Sequence, residues 1–198
     1  YFIEKALMTK DTQDSIVSAL ITLAKQNPQR SSFTMTEIAR QAGISRQAIY
    51  QKHFHNYDDI IKYIHEQADQ QIFQIFNNYC SRRDGNPIEC FANFAIPLVY
   101  ENRNIIRTLF ITQADPGWKE FLRDTYSKWI LKNVHYNKEF DFSEDDMTYV
   151  VANMIITFIE AWIRKENPTP PEKFKKTFLL LTTISLRDYI ILQEKDSE

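Results

Sequence analysis

The chain has 198 residues, enough to bury a core of its own, and only three glycines, Gly43, Gly85 and Gly117, each beside an expected helix stop or turn. Hairpins and parallel-sheet turns need more positions able to take positive φ, so strand-rich folds are disfavoured and an all-α fold is expected. A net charge of −2 argues against a protein coated in positive charge for indiscriminate nucleic-acid binding.

The charge is unevenly placed. Residues 10–54 carry six basic and three acidic side chains, a local +3, which leaves −5 on the remainder. A basic end on an acidic body is the pattern of a protein that presents one surface to phosphate. Cys80 and Cys90 have nine residues between them, with no CxxC and no histidine pair at ligand spacing, so neither a metal site nor a cofactor is expected. No run of eighteen uncharged apolar residues occurs, since the best stretch, 149–163, is interrupted by Asn153, Thr157 and Glu160. No basic-then-apolar leader is read at the start, and the expectation is a cytoplasmic protein without membrane contact.

In chain order, a first helix is predicted over 10–27, with Ile16, Ala19, Leu20, Leu23 and Ala24 on one face. Thr34 and Glu37 have the S/T-x-x-E spacing of a capping box and start a short helix that Gly43 ends after Ala42. Ser45 caps a third helix from Arg46 to His53, and Asn56 with Asp59 caps a long fourth one through Tyr79. Further helices are predicted over 87–100, 103–112, 118–135, 143–165 and 171–193, with Pro97 expected to kink or break the first of these.

Residues 34–50 have the layout of a helix-turn-helix. Ile38 and Ile49 are the apolar residues through which two short helices can pack, Ala39 permits close approach, Gly43 allows the left-handed turn and Ile44 plugs the corner. The second helix then leaves Arg46, Gln47, Tyr50 and Gln51 on its outer face, residue types that read bases and phosphates. This run of Ile-Ala, Ala-Gly-Ile-Ser, two variable residues, Ala, Ile and Tyr resembles the DNA-binding signature of the TetR family of transcription regulators. A single amphipathic helix before it and a long connector after it extend the resemblance over about residues 16–61.

The resemblance implies an all-α fold of about nine helices. An N-terminal three-helix DNA-binding domain, 1–55, would be joined by a long helix to a ligand-sensing and dimerisation domain, 56–198. It also implies a repressor that binds a palindromic operator in double-stranded DNA as a homodimer and answers to a small-molecule effector; the alternative is a co-activator or adaptor controlled by a protein partner. Carried over by position, Thr36 and Ser45 become helix-start phosphate contacts, Arg46 and Gln47 base readers, and Tyr50 a phosphate-contacting hydroxyl. Gln51, Lys52 and His53 follow as further DNA contacts. The sequence departs from the family in one place: the aromatic residue after Tyr50 comes one position late, at Phe54, and Tyr57 stands where a lysine is common. Either the helix absorbs the extra residue as a bulge, or the unit ends differently.

In the body, Phe91, Phe94, Tyr100, Phe110, Trp118, Phe121, Tyr126 and Trp129 fit a ligand chamber and fit an ordinary core better, so no ligand residues are assigned. The last two helices have a wide apolar surface. Val151, Met154, Ile155, Phe158, Ile159 and Trp162 on one, with Phe174, Phe178, Leu181, Leu186 and Tyr189 on the other, could form a four-helix dimer interface or a large internal core. There is no Glu-x-x-His pair, no Gly-rich phosphate loop and no nucleophile flanked by glycine, so an enzyme is not expected.

Overall fold

The computed structural model of the protein describes residues 2–51, 54–82, 86–136 and 141–183, and among these every regular element is a helix. Helix α1 spans Phe2–Gln26, α2 Met35–Ala42, α3 Arg46–Tyr50 and α4 Tyr57–Arg82. Helix α5 covers residues 87–101, α6 is Arg103–Ile111, α7 Trp118–Asn133, α8 Glu144–Ile163 and α9 Pro171–Leu181. Gly85, Lys52, His53, Leu186, Tyr189 and the predicted extension of the last helix to residue 193 lie outside the described residues.

Helix α1 starts earlier than the pattern predicts and is buried more widely. Besides Ile16, Ala19, Leu20 and Ala24, it buries Val17 and Ile21, because it packs against α2 on one side and against α4 and α6 on another. Each such aliphatic side chain, taken fully out of water, contributes about 1.5–3 kcal/mol before chain entropy is charged against it. The same core continues through Phe33, Ile38, Ile49 and Phe54 and into the body.

The short helices depend on their ends. Thr34 Oγ1 accepts the Glu37 N–H at 3.2 Å while Glu37 Oε2 accepts the Thr34 N–H at 2.8 Å, closing the capping box at the start of α2. At the other end Gly43 takes φ 68°, and the Ile44 N–H reaches back to the Ala39 carbonyl at 3.0 Å. Ser45 Oγ accepts the Ala48 N–H at 3.1 Å to start α3. The Asn56 side chain accepts the Asp59 N–H at 2.9 Å, and Asp59 returns the bond by accepting the Asn56 and His55 N–H groups.

Pro97 does not break α5. Residues Phe91–Ala95 form a π-helical turn between the α-helical Pro87–Cys90 and Ile96–Glu101, with the Ile96 N–H reaching Phe91 O five residues back. Proline lacks the N–H that would bond the carbonyl four residues earlier, and its ring would press on that carbonyl. Widening the preceding turn gives it room.

Helix α8 has the length and composition to cross a membrane, yet one face of it is core. Its Ala152, Ile155, Ile156, Ile159, Trp162 and Ile163 are buried against α6, α7 and the α5–α9 layer. Phe174 stacks on Trp162 at 4.0 Å, and Phe178, fully buried, meets Phe91 at 5.4 Å and Phe158 at 6.2 Å. Much of the apolar surface expected to face a partner is therefore spent inside the chain. Beyond its exposed acidic first turn of Glu144, Asp145 and Asp146, what stays exposed on α8 is Tyr149, Val150, Met154, Thr157 and Ala161, with Leu180 of α9 exposed as well.

Candidate nucleic-acid interface and ligand chamber

Helices α2 and α3 and their caps carry six of the eight sequence-predicted contact residues. Thr36 is exposed in the first turn of α2, and Ser45, Arg46, Gln47 and Gln51 are exposed along α3, with Tyr50 half-buried beside them. A helix this short owes its existence to its cap and to Ile49, which is fully buried against the core. The remaining two, Lys52 and His53, fall outside the described residues.

Arg46 and Tyr50 act as a pair, which their spacing alone leaves open. The Arg46 Nη2 donates to Tyr50 Oη at 2.6 Å, and the guanidinium lies 5.6 Å from the centre of the tyrosine ring. The ring also lies against His55, with 6.3 Å between ring centres and only 13° between the planes. The guanidinium is thus held over the outer face of α3, and the tyrosine proton remains available to an acceptor.

The departure after Tyr50 has a simple outcome. Helix α3 ends at Tyr50, with Gln51 N donating to Gln47 O at 3.0 Å, and Phe54 enters from non-helical backbone. Phe54 is nevertheless buried, edge-on to Tyr63 at 5.4 Å, so the late aromatic residue still closes the N-terminal core. Residues 52 and 53, where the extra position falls, lie outside the described residues.

The approach to α2 is fixed by charge. Arg30 makes two hydrogen bonds to the Glu37 carboxylate, at 2.8 and 3.1 Å, and lies 4.4 Å from the Phe33 ring centre. That guanidinium, followed by the Thr34 N–H and hydroxyl, pulls the Glu37 carboxyl down to about 2.

A second group of contacts went unread in the sequence and links this unit to the body. The segment 112–118 is tied to the α1–α2 turn by Gln113 N donating to Pro28 O at 2.7 Å. The Tyr57 hydroxyl donates to Ala114 O at 2.6 Å, and burial followed by the Asp115 charge raises that hydroxyl's pKa. Asp115, itself buried, binds His65 Nε2 at 2.6 Å with one oxygen and accepts the Gly117 N–H at 3.0 Å with the other. The His65 ring stacks on Phe121 at 4.0 Å and tilts against Trp118 at 5.8 Å. Tyr57 takes the place of the expected lysine and does a different job, as an anchor of α4.

Trp118 is also wall to a cavity of about 370 Å³ between α1, α4, α5, α6 and α7. Phe110, Trp118 and Tyr126 line it, whereas Phe91, Tyr126 and Trp129 line a smaller apolar cavity of about 230 Å³ beside α8. The other aromatics of the predicted chamber are elsewhere: Phe94 is 57% exposed, Tyr100 stacks on Trp162, and Phe121 covers His65. The polar part of the larger cavity comes from Asp14 and Ser18 on α1, Tyr63, Gln67 and Gln71 on α4, and Asn102. The indole Nε1 of Trp118 is buried without a hydrogen-bond partner among the described residues.

This arrangement, a capped helix-turn-helix joined through one long helix to an all-helical body with a central cavity, is a TetR-like fold. Similar solved structures include a TetR transcriptional regulator from Streptococcus agalactiae 2603V, at TM-score 0.60 and 18% identity, over 91% of this chain and 98% of that one. NalD, the secondary repressor of the MexAB-OprM multidrug efflux pump in Pseudomonas aeruginosa, is similar at TM-score 0.59 and 15% identity, over 87% and 95%. The dihydroxyacetone kinase operon activator DhaS is similar at TM-score 0.55 and 18% identity, over 86% and 93%. No family model and no curated protein sequence matches the chain.

Proposed function

We propose that the protein is a cytoplasmic transcription repressor that binds a palindromic operator as a homodimer and is released by a small-molecule effector. The observation that carries this reading is the outer face of α3, where Arg46, Gln47 and Gln51 are exposed and Arg46 is already held by Tyr50. Such a face suits a major groove, with Arg46 addressed to guanine, Gln47 to adenine, and the helix starts at Thr36 and Ser45 to phosphate. Gln51, Lys52 and His53 extend the contact along the backbone. The DNA-binding domain then comprises residues 1–55 and the sensing and dimerisation domain residues 56–198.

A single helix this short reads few bases, and two of them related by a two-fold axis read a palindrome. The exposed Val150, Met154, Thr157 and Ala161 of α8, with Leu180 of α9, support dimerisation through the last two helices. The segment 112–118 supports the control: it touches the cavity, α4 and the α1–α2 turn, so a ligand preferring one arrangement of its walls biases the position of α3. No catalytic constellation enters this reading.

A salt titration on duplex DNA tests it. A regulator of this kind shows a steep fall of log affinity with log salt and a sequence-specific excess over random duplex. Equal binding to every sequence at every salt concentration would rule the reading out.

A further inference from the structure

The larger cavity has a charge signature that the function alone does not specify. Among its described lining residues none is lysine or arginine, and the one charged side chain is Asp14, exposed at the α1 edge. Tyr63 stands beside that carboxylate: burial first, and then the Asp14 charge, raise its hydroxyl's pKa. An aromatic ring next to an exposed carboxylate is a favourable place for a positive charge and an unfavourable one for a negative charge.

The neutral polar groups point the same way. Gln67 and Gln71 lie one turn apart on α4, half-buried against the cavity, and neither has a hydrogen-bond partner among the described residues. Half-buried amides facing an apolar chamber can pair with polar atoms of a ligand without a charge being taken out of water. Apart from Ser18 and Asn102, the rest of the described wall is aliphatic or aromatic, with Phe110, Trp118 and Tyr126 presenting ring surface. An anion entering here would lose its hydration and meet no cation among the described lining residues in return.

We propose that the chamber is selective for a singly cationic, largely apolar, ring-bearing molecule, whose polar edge is held by Gln67 and Gln71 and whose positive charge sits between Asp14 and the ring of Tyr63. The selectivity rests on the effector-controlled reading above and adds to it the chemical class of the effector. Because the amides are on α4, a ligand held by them engages the helix that leads to the DNA-reading unit.

The test uses the full-length protein without DNA and three fluorescent probes: acridine orange as the cation, Nile red as the neutral molecule and anilinonaphthalene sulfonate as the anion. Asp14→Asn should weaken acridine orange roughly tenfold and leave Nile red unchanged, whereas Asp141→Asn, which removes an exposed charge elsewhere, should change neither. Gln67→Leu with Gln71→Leu should weaken both acridine orange and Nile red by roughly tenfold. The proposal is overturned if anilinonaphthalene sulfonate binds as tightly as acridine orange, or if Asp14→Asn leaves acridine orange unaffected while thermal unfolding shows the variant folded. Operator binding is measured separately without any dye, so loss of the charge preference and loss of DNA binding are distinct results.

Discussion

The N-terminal unit and the body are built under different kinds of constraint. Around the short helices of the first 59 residues the backbone is set by neighbours in sequence: Thr34 with Glu37, Gly43 with Ala39, Ser45 with Ala48, Asn56 with Asp59. In the body the decisive contacts are remote, such as His65 with Asp115, Trp162 with Phe174 and Phe91 with Phe178. A locally determined unit presents a fixed surface, while a body held by long-range packing can keep a cavity and alternative arrangements of its walls.

Substitutions can break that contrast, and the largest effect belongs to the body. Phe178→Ala removes a fully buried ring from between α5, α8 and α9 and should cost about 3–5 kcal/mol of stability, read by chemical denaturation. Gly43→Ala should cost about 1–2 kcal/mol, because the residue sits at φ 68° in otherwise open space and the penalty is conformational. If Gly43→Ala were neutral, the turn would not be the local determinant claimed for it. Thr34→Ala removes the cap acceptor of α2 and should cost about 1 kcal/mol.

The smallest effect depends on pH. The Glu37 carboxyl lies at about 2 in the folded chain against an ordinary 4.5, so its contribution is present above 4.5 and is lost as pH falls from 4.5 towards 2. The stability difference between the wild type and Glu37→Gln should shrink over that interval. The difference should be small, since both partners are partly exposed to water, which screens the pair. A difference that grew on acidification would have the wrong sign.

The same contrast explains what could be read in advance. Caps, the αL glycine and the polar face of α3 are short-range facts, and the sequence pattern located Thr34, Gly43, Ser45 and Asn56 correctly. The pairing of Arg46 with Tyr50 is consistent with their i, i+4 spacing but needs coordinates to fix its geometry. The tie from Tyr57 to Ala114 spans 57 residues and leaves no periodic trace. Nor does hydrophobic periodicity divide an apolar helix between its own core and a partner: Ile155 and Ile159 of α8 turn inward, and Val150 and Met154 remain outside. Asp14 and Gln67 become neighbours of one cavity only once α1 and α4 are placed.

The claim that α3 is a sequence reader is tested most directly by selection from random duplex DNA, with the wild type and Arg46→Ala run in parallel. The wild type should enrich a palindrome, and Arg46→Ala should lose preference at one symmetric pair of positions, worth about 1–3 kcal/mol each, while retaining the rest. Recovery of no common sequence by the wild type, or of the same palindrome with undiminished preference by Arg46→Ala, would contradict it.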